Sequence, residues 1–226
     1  MKEKYWDGIR RRISGTLPPV SFLRSITELT SLLSLHRHPE RPHLTSSSDS
    51  PHLTFNTPLG PVGLLICWDL AFPEAFRELV ASGAKMIIIP TFWTLADCSP
   101  AGLKWNPLSE SLFLQAALVS RAFENTVAIV FVNAGGPPPT SLYYNKDKNF
   151  AGLSQVTLPF VGGCGGQTQR SRVEGMSVVP VDMAVLEEAE SFYKVRADIN
   201  GEGWHYSYRH QNFGQGEVEK EEVKQE

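Results

Sequence analysis

Cys67 is the residue whose surroundings point most clearly to chemistry. It closes a continuous apolar run of strand length, VGLLIC at 62–67, and Pro73 and Glu74 shortly after it can open a helix. A side chain between the carboxyl end of a buried strand and a helix N-terminus lies where ligands bind in open α/β sheets. The helix N-terminus also favours the thiolate, which is the nucleophilic form of the side chain. The competing structural reading is a small buried hydrophobe, a common role for free cysteine. A second constellation is His36, His38 and Glu40 with His43 nearby, which places three possible metal ligands on one face of an extended stretch. Pro39 and Pro42 interrupt it and no fourth ligand stands out, so a metal site is the weaker reading. The Gly-rich VGGCGGQ at 161–167 has neither a G-x-G-x-x-G nor a P-loop lysine and reads as a flexible turn.

The elements that would position Cys67 follow from hydrophobic patterning. Residues 52–57 alternate as a half-exposed strand, and PLGP at 58–61 reads as a tight turn. The run 62–67 has the continuous apolar character of a strand covered on both faces. A helix begins at Pro73 and stops at Gly83, and KMIIIP at 85–90 is the next buried strand. This order implies a parallel pair joined by a right-handed crossover. A helix opened by Asn106 and Pro107 runs to about Asn125, with Leu108, Leu112, Ala116, Val119 and Phe123 as its apolar stripe. TVAIVFVN at 126–133 is a further buried strand. Shorter strands are expected around 153–158, 177–182 and 192–199, with a short helix over 183–189 between the last two. Trp204, Tyr206 and Tyr208 alternate as an edge or surface strand would.

Composition sets the wider bounds. The chain has 226 residues, 42% of them hydrophobic, enough for one sizeable core. It divides into an irregular segment at 1–50, an α/β region with a mixed sheet at 51–200, and a tail at 201–226 expected to be disordered at its end. The net charge of −3 equals that of the acidic last eleven residues, so the rest is neutral. That balance argues against a nucleic-acid surface. Three cysteines without a C-x-x-C pair do not form a disulfide framework, and a reducing compartment, by default the cytosol, follows. No apolar stretch approaches the roughly 18–20 residues of a membrane helix.

Residues 60–93 are similar to the nucleophile segment of carbon–nitrogen hydrolases of the nitrilase superfamily. Gly60, Val62, Gly63, Cys67, Trp68, Asp69, Phe72, Pro73, Glu74, Arg77, Leu79, Gly83, Ala84, Pro90 and Trp93 stand in the order of that pattern. RAFEN at 121–125, a strand ending in Asn133, and GLSQVTLP at 152–159 resemble the elements that come next. The resemblance runs from about His38 to about Asn200.

The resemblance implies an α-β-β-α sandwich with its N-terminal part missing, and outer helical layers that pair in a homo-oligomer. It implies hydrolysis of a nitrile or amide through a thioester on Cys67, with a small-molecule substrate and neither metal nor organic cofactor. Of the Glu–Lys–Cys triad, Cys67 is the nucleophile; Glu40, in HPER, takes the place of a second Glu that helps hold the site. Trp68, Trp93 and Asn133 are expected at the substrate, and Asp69, Glu74, Arg121 and Glu124 in supporting positions nearby. The family's lysine precedes the HPER-like element, yet no lysine occurs between Lys4 and Lys85, and the general-base Glu has no recognisable counterpart. Weak or no turnover is therefore expected of the chain as written. The alternative is a catalytically inactive homologue that acts as a binding or assembly partner.

Overall fold

A computed structural model describes residues 51–143, 149–164 and 172–206. Six strands form one mixed sheet in sequence order: β1 (Phe55–Thr57), β2 (Gly60–Leu64), β3 (Met86–Thr91), β4 (Ala128–Asn133), β5 (Gln155–Leu158) and β6 (Gly162–Cys164). The central pairs β2–β3 and β3–β4 are parallel, and the outer three pairs are antiparallel. Each parallel pair requires a crossover, and helices supply it. Pro73–Ala81 (α1) links β2 to β3, while Pro100–Trp105 (α2) and Ser109–Asn125 (α3) link β3 to β4. Ala184–Tyr193 (α4) and Val195–Ile199 (α5) close the described fold.

The apolar runs of the parallel strands split between two faces because side chains alternate along a strand. Leu65, Ile87, Ile89, Ile129 and Phe131 meet Phe76, Leu79, Leu114 and Leu118 of the helices in the larger core. Val62, Met86, Ala128 and Leu158 form a smaller cluster with Leu186 on the other face. Arg196 of α5 donates to the Val80 and Ala84 carbonyls and pairs with Glu190, tying the last helices to the end of α1.

Gly63 shows how closely α1 lies on the sheet. A Cβ built there would fall 2.7 Å from Leu79 Cδ1, a side chain that is fully buried. Gly63→Ala is expected to destabilise the fold by about 1–3 kcal/mol through overpacking. A urea unfolding midpoint lower than that of the parent chain checks it.

Several elements differ from those expected from the sequence. The 62–67 strand ends at Leu64 and gives way to a 3-10 turn, Cys67–Ala71. The long helix begins at Ser109, and a separate helix, α2, precedes it. Its buried stripe is Leu114, Ala117, Leu118 and Ala122, whereas Leu108 and Leu112 are exposed; apolar residues on both sides allow two phases, and packing selects the other one. Residues 177–182 form no strand. Residues 192–199 form no strand: Phe192 and Tyr193 end α4, Lys194 at φ 54° separates the two helices, and Val195 and Ile199 of α5, one turn apart, both pack on the larger core. Within the Gly-rich segment, Gly162–Cys164 is edge strand β6, and 165–167 lie outside the described residues. Trp204 and Tyr206 are not in a strand; Trp204 packs against the larger core, and Tyr208 lies outside the described residues.

Candidate active site

Three adjacent parallel strands bring the candidate residues to one edge of the sheet. Cys67 follows β2, Trp93 follows β3, and Asn133 ends β4, paired in register with Thr91. This is the carboxyl end of the strands, the side on which open α/β sheets bind ligands.

Cys67 opens the 3-10 turn with φ 51°, in the left-handed region that residues with a Cβ rarely adopt. Asp69 holds the turn from inside: its carboxylate accepts the Ile66 N–H at 2.9 Å, its own N–H donates to the Ile66 carbonyl at 3.0 Å, and it is buried. Arg121 holds the far end. Its Nε donates to the Leu70 carbonyl at 3.3 Å and Nη2 to the Ala71 carbonyl at 3.4 Å. Glu124 accepts from Nη1 at 2.8 Å, and the guanidinium lies over the Phe76 ring at 5.5 Å. A sharp turn with satisfied ends can carry a strained residue, because the surrounding bonds over-determine it.

That strain has a measurable consequence. Both Cys67→Gly and Cys67→Ala remove the thiol, but only glycine relieves the left-handed backbone. Cys67→Gly is therefore expected to be about 1 kcal/mol more stable than Cys67→Ala, from the cost of a Cβ in this conformation. Paired urea titrations read the difference; an alanine variant as stable as the glycine variant contradicts the strained turn.

An aromatic wall stands next to the cysteine. Trp68, Trp93 and Phe113 form a triangle with ring centroids 5.4, 5.8 and 5.9 Å apart. Trp93 is 2% exposed, whereas Trp68 is 36% exposed. The Trp93 indole N–H donates to Glu110 Oε2 at 2.6 Å.

The Asn133 side chain is buried and bonded within the protein. Its Oδ1 accepts the Trp93 N–H at 2.8 Å and the Thr91 hydroxyl at 3.0 Å. Its Nδ2 donates to the Trp93 and Gly152 carbonyls, both at 3.0 Å. Two donors and two acceptor sites are all that an amide offers, so this side chain staples the segment after β3 to the segment before β5.

Glu74 is exposed in the first turn of α1, where the helix dipole favours a carboxylate. Glu40, His36, His38 and His43 lie outside the described residues. Among the other cysteines, Cys164 sits in β6, where burial pushes its thiol away from the nucleophilic form. Sequence reasoning missed Glu110 and Phe113. One helical turn apart on α3, they are an ordinary first-turn acid and an ordinary apolar residue until the fold sets them against Trp93.

The carbon–nitrogen hydrolase family profile matches residues 25–188. The chain belongs to the carbon–nitrogen hydrolase family. The match starts upstream of His38, where the motifs begin. The chain is 33% identical over 109 residues to a probable nitrilase of Schizosaccharomyces pombe, covering 48% of this chain and 35% of that protein. It is 32% identical over 139 residues to an (R)-stereoselective amidase of a Pseudomonas species, covering 61% and 42%. It is 30% identical over 137 residues to the 2-oxoglutaramate amidase of Bacillus subtilis, covering 60% and 43%. The chain thus spans less than half the length of these curated relatives. A carbon–nitrogen hydrolase from Helicobacter pylori shares the fold, with a TM-score of 0.54 at 22% identity over 70% of this chain and 52% of that one. The mixed sheet with its helical layer is therefore the α/β fold of this family. No helix among the described residues is long and apolar enough to cross a membrane.

Proposed function

We propose that this carbon–nitrogen hydrolase chain carries the nucleophile of an enzyme that hydrolyses a nitrile or amide other than a peptide bond. The observation that supports this most is Cys67 itself. It sits in a braced left-handed turn at the carboxyl end of β2, beside an aromatic wall. A cysteine that is only a core hydrophobe needs neither the turn nor the braces.

In this reading the Cys67 thiolate attacks the amide or nitrile carbon. A positive charge and a backbone N–H stabilise the charge that develops on oxygen or nitrogen. With an amide, the C–N bond breaks as ammonia leaves with a proton from a general acid, and a thioester remains on Cys67. With a nitrile, water adds to the first thioimidate before ammonia departs. Water, deprotonated by the group that acted as general acid, then cleaves the thioester and releases the acid. Trp68 lines the substrate side, and Trp93 supports it by packing against its ring. Asp69, Arg121 and Glu124 keep the nucleophile turn in place, and Asn133 acts through Trp93. Glu40 remains the proposed second Glu that helps hold the site, and Glu74 the proposed support at the start of α1. No metal or organic cofactor is required by these steps. A cytosolic enzyme acting on a small molecule, assembled as a homo-oligomer through its outer helices, completes the proposal.

A second reading rests on one observation: no lysine lies between Lys4 and Lys85, so the usual cation of the triad has no counterpart ahead of Cys67. In that reading the chain is an inactive homologue that binds or assembles with a partner. Ammonia release from a panel of small nitriles and amides separates the two. Release above the buffer rate that depends on Cys67 supports the hydrolase; none across the panel, from folded protein, supports the inactive homologue.

A further inference from the structure

Glu110 belongs to none of the motifs that carry the family resemblance, yet it is bonded to the aromatic wall beside the nucleophile. It lies in the first turn of α3, where the helix dipole stabilises its charge, and its Oε2 accepts the Trp93 indole N–H at 2.6 Å. Phe113, three residues on and therefore on the same helix face, places its ring 5.9 Å from that of Trp93. Asn133 clasps the N–H and carbonyl of the Trp93 backbone. Trp93 is thus held at its backbone, its ring and its indole nitrogen.

The member of the triangle open to solvent is Trp68, and it is the residue next to Cys67. Trp68 follows Cys67 directly in the chain, and consecutive Cα atoms are about 3.8 Å apart, so the wall begins at the residue beside the nucleophile. Trp93 and Phe113 back that ring from behind. Glu110 meets the wall at the indole N–H, and the ring faces of the triangle are apolar.

We propose that Glu110 is a positioning residue: by fixing the Trp93 indole it holds Trp68 as a stacking wall, which selects substrates whose carbonyl or nitrile carbon bears an aromatic or flat apolar substituent. This deepens the hydrolase reading and rests on Cys67 being its nucleophile. Oriented aromatic pairs add to area burial, and a wall free to rotate forfeits that gain.

The test uses alkylation of Cys67, which requires a reactive thiol but no turnover. Two uncharged reagents are compared, iodoacetamide and N-benzyl iodoacetamide. In each, the thiolate sulfur forms a bond to the reagent's methylene carbon as the C–I bond breaks and iodide leaves. Rates at the Cys67 peptide are read by mass spectrometry, which keeps Cys98 and Cys164 separate. The full-length parent chain is expected to prefer the benzyl reagent by about three- to tenfold, the range of one well-placed aromatic pair. Glu110→Ala is expected to bring the ratio close to one, and Glu110→Gln, which keeps an acceptor oxygen, to restore it. Trp93→Phe keeps a ring but loses the indole N–H, and is expected to match Glu110→Ala; it carries the test if Glu110→Ala does not fold. A parent chain without the preference, or a preference that survives both Glu110→Ala and Trp93→Phe, overturns the proposal. If Cys67 reacts with neither reagent, the nucleophile assignment beneath it falls instead.

Discussion

Cys67→Ala is expected to reduce ammonia release from any nitrile or amide the chain hydrolyses by at least about three orders of magnitude, the usual cost of removing the nucleophile from residues that act as a unit. The size follows from the chemistry, because no thioester can form without the sulfur and direct attack by water faces the full uncatalysed barrier. The variant is expected to keep its fold. The Cys67 turn is held by the Asp69 N–H on the Ile66 carbonyl, the Asp69 carboxylate and Arg121. Alanine is also no larger than cysteine and meets the same left-handed backbone. Ammonia release, measured beside circular dichroism of the same preparations, checks both halves. Hydrolysis that continues in the folded alanine variant assigns the activity to another residue.

The largest expected effect on stability is at Asn133. Asn133→Ala leaves the Trp93 N–H and the Gly152 carbonyl without the partners they now have, while the Trp93 carbonyl keeps the Ala151 N–H at 2.9 Å. Trp93 and Gly152 are buried, so water cannot replace the lost bonds. A loss of about 2–4 kcal/mol is expected, within the range for breaking a buried hydrogen-bond network. Asn133→Asp is no rescue, because a carboxylate supplies acceptors where Nδ2 now donates. Urea unfolding measures the loss, and near-UV circular dichroism follows the tryptophan environment. An alanine variant with the parent midpoint removes Asn133 from its role as staple.

Much of the central sheet was legible in the sequence because the parallel strands are continuous apolar runs. MIIIPT and AIVFVN bury alternate residues in two cores, and no helix period fits them. The candidate nucleophile stood out from a local string, Cys67-Trp68-Asp69 followed by Phe72-Pro73-Glu74. Its backbone did not: an apolar run to Cys67 looks like strand throughout, and only the fold shows Leu64 as the strand end and Cys67 at positive φ. The region after β5 was read least well. Around Val195 and Ile199, a two-residue alternation and a four-residue spacing are both present in a short window, and contact with the larger core selects the helix. The Glu110–Trp93 bond was invisible for a different reason. Its partners lie 17 residues apart on separate elements, and neither residue type is unusual where it stands. The bonds that Asn133 makes were not legible, because one of them reaches Gly152, 19 residues away.

The most direct measurement of the central claim, Cys67 as an acyl-accepting nucleophile, is the mass of the Cys67 peptide after acid quench during reaction with an amide or nitrile. The expected result is an acyl increment on that peptide, absent with Cys67→Ala and removed by hydroxylamine, which cleaves thioesters. Ammonia and acid produced with no adduct on Cys67 at any quench time, and at an undiminished rate with Cys67→Ala, would contradict it.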